Sequence, residues 1–108
     1  MLEIGLPTGV AFFRTRVELD GVTFLLDFAW NARLGQWLMS VYDAEAAPLV
    51  EGIGIASNWP LLRHHKWDTR MPAGELIATD LTETIEAPGY DELGTTVPLI
   101  YHTAAELA

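Results

Sequence analysis

Hydrophobic and polar side chains alternate along much of the first half of the chain, which is the pattern of half-buried β-strands. In residues 13–19 the hydrophobic and threonine side chains point one way and the charged side chains point the other. Residues 22–30 are largely apolar on both faces, which predicts a central strand that is covered on both sides. The alternation also predicts two further strands, over residues 36–42 and 49–55.

Residues that favour turns separate these strands. The dipeptide Asp20-Gly21 predicts a two-residue hairpin turn, because a type I′ turn requires positive φ at both central positions. A short loop follows over residues 31–35, where Asn31 and Gly35 tolerate left-handed backbone. In the fourth strand, Gly52 and Gly54 predict a β-bulge or a place where another backbone approaches closely.

The second half of the chain has shorter elements. Asn58 and Pro60 are residue types that begin helices, and they predict a single helical turn with Asn58 as its N-cap. Residues 75–79 predict a fifth strand, and residues 95–102 predict a last one. Because Pro98 cannot donate a ladder hydrogen bond, this last strand is predicted to lie at a sheet edge or to turn that position outward.

The predicted fold class is all-β: a small antiparallel β-barrel or sandwich of about six strands with one short helical turn. The length of 108 residues predicts a single β domain over residues 1–108. There is no cysteine, so packing rather than disulfides must hold the fold. The N-terminus lacks the pattern of a signal peptide, and no apolar run is long enough to span a membrane. We therefore expect a cytoplasmic protein, or one assembled there into something larger, with no membrane partner.

Negative charge dominates the chain, and it is unevenly distributed. The formal net charge is −9, and after Arg70 there are seven acidic residues and no basic one. Direct binding to nucleic-acid phosphates is therefore not expected. The favoured interpretation of the acidic third is a solvated face. The alternative is a patch that meets a basic partner or repels nucleic acid passing nearby.

One group of residues has the types that bind metals. His64 and His65 lie near Asp68, and His102 is distant in sequence. Adjacent side chains do not share a face on a helix or a strand, and a third ligand is not evident. Surface histidines are therefore the favoured interpretation, and no metal or cofactor is predicted.

Asp27 is the acidic residue whose position invites a catalytic hypothesis, because it lies within an apolar strand. Its favoured role is pairing with Arg14 or Arg16 across the hairpin, and a buried catalytic acid is the alternative. The chain has no nucleophile motif and no glycine-rich phosphate loop. We therefore predict no catalytic residue and no enzymatic activity.

Four tryptophans are many for this length. Trp30 and Trp37 flank one turn, and at least one of them is predicted to lie in the core. Trp59 and Trp67 lie in the irregular segment, where they are predicted to form an interface or to pack across an open barrel end; stacking on a sugar is an alternative. The complete set of candidate interface residues is Trp59, Trp67, Arg70, Gly52 and Gly54.

One ordered set of motifs covers nearly the whole chain. The motifs are Phe28-x-Trp30-Asn31-x-Arg33-x-Gly35-x-Trp37, Tyr42-Asp-Ala, Pro48-Leu-Val-x-Gly52, Pro60-Leu-Leu, Arg70-Met-Pro-x-Gly74-Glu-Leu and Asp91-Glu-Leu-Gly94-x-x-Val97-x-Leu99-x-Tyr101. In this order they resemble the cyanophage-like family of baseplate plug proteins from contractile-tailed bacteriophages. The His64-His65 pair and residues 81–89 look like variable parts. The family offers no catalytic residue to carry over.

The resemblance implies a structural virion protein of the tail baseplate, synthesised in the host cytoplasm. It would lie on the tail axis near the hub and spike, below the tail tube, and would close or brace the channel until contraction. The implied partners are the hub, the spike, the tail tube and neighbouring plug subunits in a trimeric or hexameric ring with head-to-tail contacts. A carbohydrate- or ligand-binding β module using Trp59 and Trp67 is the alternative. A metal-dependent hydrolase using His64, His65 and Asp68 ranks third.

Overall fold

The computed structural model describes residues 2–7, 9–65 and 70–107. These residues form two antiparallel sheets, ordered β1-β7-β6 and β2-β3-β4-β5, with little helix. The strands are β1 (Leu2–Ile4), β2 (Phe12–Leu19), β3 (Val22–Asn31), β4 (Gln36–Asp43), β5 (Pro48–Gly54), β6 (Glu75–Ala78) and β7 (Leu99–His102). A 3-10 turn spans Arg63–His65, and the helix α1 spans Ala104–Leu107. The all-β prediction is confirmed, and the strands form two separate sheets rather than a closed barrel.

The predicted hairpin between β2 and β3 is confirmed. The two strands pair without interruption along all of β2, and the pairing ends where Leu19 faces Val22. Asp20 and Gly21 have φ values of 51° and 79°, which are the positive values that a type I′ turn requires. The turn also fixes which residues of β2 face the core, because a shift by one residue would exchange the two faces.

Asn31 organises the loop between β3 and β4. Its Oδ1 accepts hydrogen bonds from the N–H groups of Arg33 and Leu34, both at 3.1 Å. Gly35 completes the turn with a φ of 64°. The predicted left-handed position at Gly35 is therefore confirmed.

The predicted bulge in β5 is also confirmed. Two residues of β5, Glu51 and Gly52, oppose the single residue Ser40 of β4. Gly52 has a φ of 77°, and its N–H donates to Ser40 Oγ at 3.2 Å. At Gly54 an added Cβ would lie 2.8 Å from the Gln36 side-chain amide. The close neighbour at this position is therefore a side chain rather than another backbone.

The prediction that the last strand lies at a sheet edge is wrong. β7 begins at Leu99, so Pro98 precedes it, and β7 lies between β1 and β6 at the centre of its sheet. The Pro98 carbonyl accepts a hydrogen bond from the N–H of Thr79 at 2.8 Å. Residues 93–97 form a turn instead of strand, with an isolated bridge between Leu93 and Val97. Proline is therefore accommodated at the start of a central strand rather than at a sheet edge.

The predicted helix start at Asn58 is wrong as well. Asn58 has a φ of 58°, and its side chain forms two hydrogen bonds with the backbone of Asp80, at 2.9 and 3.0 Å. Its own N–H donates to the carbonyl of Ala78 at 2.7 Å. These bonds fasten the segment after β5 along β6, so the helical turn forms later, at Arg63–His65.

Both sheets contribute side chains to one hydrophobic core. Trp37 is 3% exposed, and its Nε1 donates to the carbonyl of Gly89 at 3.1 Å. The Trp37 ring stacks on Tyr90 with centroids 5.8 Å apart and meets Trp30 edge-on at 5.5 Å. The prediction that at least one of these two tryptophans lies in the core is confirmed. Fully buried members of the core include Leu26, Phe28, Met39, Val41, Leu76, Leu99 and Tyr101.

Candidate interaction surfaces

The outer face of β2 and β3 carries the predicted ion pair of Asp27. Arg14 Nε and Nη2 donate to the two carboxylate oxygens at 2.5 and 2.9 Å. The Asp27 side chain is 9% exposed and that of Arg14 is 47% exposed, with the guanidinium 5.1 Å from the ring centre of Tyr42. The hydrogen bond to Asp27 raises the pKa of Arg14 above its ordinary value. The structure therefore gives Asp27 the pairing role that the sequence favoured, with Arg14 as its partner.

Asp80 shows why the acidic third is not one solvated face. This residue is 2% exposed, and its carboxylate organises the loop that follows β6. It accepts hydrogen bonds from the Thr82 hydroxyl at 2.6 Å and from the N–H groups of Thr82, Thr84 and Ile85. The Thr82 hydroxyl and these amides lower the pKa of Asp80 below its ordinary value of 3.8.

Glu75 is the second buried carboxylate of this region, at 6% exposure. Its Oε1 accepts hydrogen bonds from the N–H groups of Leu62 at 2.6 Å and Leu76 at 3.1 Å. Glu75 thus joins β6 to the segment before the 3-10 turn. The interpretation of a solvated acidic face is wrong for Glu75 and Asp80, and it holds for exposed residues such as Glu83 and Glu86.

A hydrogen-bonded chain connects the β2–β3 turn to β7. The Tyr101 hydroxyl donates to Asp20 Oδ2 at 2.6 Å and accepts a hydrogen bond from the N–H of Gly74 at 2.8 Å. The same Asp20 oxygen accepts the N–H of Ala104 at 3.1 Å. Burial of the phenol raises the pKa of Tyr101, and its hydrogen bond to Asp20 raises the pKa further. This chain ties the turn of one sheet to the central strand of the other.

The candidate interface residues occupy several parts of the fold. Gly52 and Gly54 lie on β5, and Trp59 is 47% exposed in the segment that follows. Arg70 lines a cleft of about 770 Å³ between the β2–β3 turn, the loop after β4 and residues 70–73. Trp67 lies outside the described residues. The interface assignment and the sugar-binding alternative, which needs both Trp59 and Trp67, therefore stay predictions.

The histidine hypothesis is only partly within the described chain. His65 ends the 3-10 turn, and His102 lies at the end of β7. Asp68 lies outside the described residues. Within the described ranges, no group of three His, Cys, Asp or Glu side chains is arranged to hold a metal ion.

The outer face of the three-stranded sheet carries an apolar groove that was not predicted from the sequence. The groove has a volume of about 620 Å³. Ile77 and Ile100 are register partners on this face, and Pro98 and Leu81 extend it. Leu81 is 90% exposed and adds apolar area next to the two isoleucines. The sequence contains two signals of this groove: strands that are apolar on both faces, and a single leucine that begins a polar segment.

The lining of this groove has little charge. Its described residues include neither lysine nor arginine, and its one acidic residue, Asp80, directs its carboxylate to the loop amides described above. Three threonines and His102 supply polar groups at the margins. A surface of this composition suits contact with another protein better than binding of a charged small molecule.

Comparison with curated proteins gives no match to this chain. Among the described residues, no helix has both the length and the apolar character that a membrane crossing requires. A family model described as the cyanophage baseplate Pam3 plug gp18 matches residues 1–104, which is nearly the whole chain. The chain therefore belongs to the cyanophage baseplate plug family, which indicates a structural role in the tail baseplate of the virion.

Proposed function

We propose that this protein closes or braces the central channel of a contractile tail, on the tail axis beneath the tail tube. The observation that carries the proposal is the family match over residues 1–104. The protein would be made in the host cytoplasm and would act without catalysis. Its partners would be the hub, the spike, the tail tube and further plug subunits, in a ring of three or six copies.

The internal bonding of the fold supports a bracing role. Tyr101 and Asp20 connect the two sheets, and Asn58 fastens the segment after β5 to the end of β6. Asp80 and Glu75 hold loop backbone through buried carboxylates. A plug must keep its shape while its neighbours move, and loops that are bonded to the sheets resist local opening.

The charge of the chain supports a position beside a DNA conduit. The net charge is −9, and exposed acidic residues such as Glu83, Glu86 and Asp91 belong to the segment that follows Arg70. Like charges repel the phosphates of passing DNA, so a surface of this kind does not retain the genome during ejection.

The apolar groove is the surface we assign to a neighbouring plug subunit in the ring. Ile77, Ile100 and Leu81 offer hydrophobic area with few charges, as the centre of a protein interface requires. The exposed Trp59 and the cleft residue Arg70, together with Gly52, Gly54 and Trp67, remain the candidate contacts to other baseplate proteins.

Complementation of a phage that lacks this gene tests the proposal. Without the protein we expect tails that lack the axial plug and particles that are not infectious, and normal infectivity would contradict a plug. Leu81→Asp should block incorporation while leaving the fold intact, because its side chain is 90% exposed. Leu34→Asp is the matched control, since Leu34 is 64% exposed in a turn. Incorporation of both variants at the wild-type level would rule out the groove as the contact.

A further inference from the structure

The two edges of the four-stranded sheet differ in their ability to accept another strand. The β5 edge begins with Pro48, carries the bulge at Gly52 and shifts register twice against β4. Proline and bulges are the devices that block pairing at an exposed edge. β2, at the opposite edge, contains neither proline nor glycine and pairs regularly with β3 over all eight of its residues. One edge is therefore closed and the other is open.

The outward backbone groups of β2 follow from its pairing with β3. Antiparallel strands exchange hydrogen bonds at every second residue, and a two-residue turn makes Leu19 and Val22 such a pair. The N–H of Trp30 donates to the carbonyl of Ala11 at 2.8 Å, in the same phase. The backbone N–H and C=O groups of the alternate residues therefore point away from β3. These residues are Phe12, Arg14, Arg16 and Glu18, and the groups have no hydrogen-bond partner in the described part of the chain.

The charges on this edge select one register for pairing with a second copy. When two β2 strands run antiparallel, one register places Arg16 of each copy opposite Glu18 of the other. A shift of two residues in either direction places Arg16 opposite Arg16, or Glu18 opposite Glu18. Arg14 is already bonded to Asp27 and contributes less to the choice. Opposite charges on facing residues stabilise a strand pair, and like charges destabilise it.

We propose that two copies of this chain associate through β2, so that their four-stranded sheets join into one continuous sheet with Arg16 facing Glu18 of the second copy. Head-to-tail extension of the sheet would require β5 to accept β2, and the β5 edge is closed. The contact is therefore two-fold symmetric and distinct from the ring contacts proposed above. It does not depend on the baseplate assignment.

Charge variants of the full chain test this contact by sedimentation equilibrium. Arg16→Glu and Glu18→Arg each place like charges opposite, so each should raise the dimer dissociation constant by about tenfold or more. The double variant R16E/E18R should restore the wild-type constant. If repulsion between the two negatively charged chains controlled association instead, Glu18→Arg would strengthen the dimer, because it makes the chain less negative. Arg33→Glu, in the exposed β3–β4 turn, is the control and should leave the constant nearly unchanged.

Engineered cysteines test the register, because the wild-type chain contains none. Facing residues of an antiparallel pair have Cα atoms about 4.5–5.5 Å apart, which is within disulfide range. After mixing and oxidation, Arg16→Cys and Glu18→Cys should form the mixed disulfide in excess of its statistical share. A mixture of Arg33→Cys and Glu45→Cys should give only that share.

Three results would overturn the proposal: a wild-type chain that stays monomeric at all concentrations, charge variants that associate like the wild type, or a preference for R16C homodimers over the mixed disulfide. A chain that is monomeric in solution yet present in the virion baseplate would overturn this contact alone. Absence from the virion together with β2 pairing would instead overturn the proposed function.

Discussion

Tyr101→Phe removes one hydroxyl from the hydrogen-bonded chain that joins the two sheets. In the wild type this hydroxyl donates to Asp20 at 2.6 Å and accepts the N–H of Gly74 at 2.8 Å. Tyr101 is 1% exposed, so water does not readily replace the lost partner. The ring stays in place, and the substitution therefore tests the hydrogen bonds rather than the packing.

The expected cost of this substitution follows from the two bonds. A hydrogen bond to a charged group contributes about 1.5–3 kcal/mol, and a hydrogen bond between neutral groups contributes about 0.5–1.5 kcal/mol. Asp20 is exposed and keeps its hydrogen bond from the N–H of Ala104, so losing the bond between Tyr101 and Asp20 should cost an amount near the lower end of the first range. We expect the free energy of unfolding to fall by about 3 kcal/mol, which lowers Tm by on the order of 15 °C.

Urea unfolding followed by tryptophan fluorescence measures this change. Tyr90→Phe is the matched control, because the Tyr90 ring stacks on Trp37 and its hydroxyl makes no hydrogen bond to the described residues. Its free energy of unfolding should change by less than about 0.5 kcal/mol. A loss below about 1 kcal/mol in Tyr101→Phe, or an equal loss in both variants, would refute the idea that this chain links the sheets.

Three further predictions concern stability. Gly74→Ala should lower the free energy of unfolding by at least about 3 kcal/mol, because the added Cβ would lie 2.1 Å from a backbone oxygen of β7. Gly5→Ala is the control, because its Cβ would meet nothing within 4 Å. Equal shifts in Tm for the two variants would contradict this prediction. Arg14→Leu should destabilise more than Asp27→Asn, because it leaves the more buried charge unpaired, and a double-mutant cycle should show coupling between them. The hydrogen bonds that lower the pKa of Asp80 stabilise the fold at pH values above the ordinary pKa of 3.8. This contribution should be lost as the pH falls from 3.8 through the lower pKa of the folded state. In urea unfolding across this pH range, Asp80→Asn should make the free energy of unfolding depend less on pH.

Local features of the fold could be predicted from the sequence because they depend on neighbouring residues. The Asp20-Gly21 turn and the alternation around it were sufficient for the first hairpin and its register. The same hairpin predicted that Asp27 pairs with Arg14 or Arg16, and the observed register selects Arg14. Gly52 indicated the bulge for the same reason, since its positive φ is a local requirement.

Features that depend on distant residues could not be predicted. β1 has only three residues and no alternation, and it forms because β7 supplies a partner far along the chain. Asn58 was predicted to cap a helix, but its side chain bonds to Asp80, twenty-two positions away. The apolar groove likewise arises only when β6 and β7 pair, because that pairing brings Ile77 and Ile100 together.

Electron cryomicroscopy of intact tails tests the central claim most directly. If this protein is the baseplate plug, density that fits its four-stranded and three-stranded sheets should lie on the tail axis beneath the tube, in three or six copies, and should be absent from tails of a phage that lacks the gene. Density for the same two sheets at the baseplate periphery, with an unobstructed axial channel, would contradict the account.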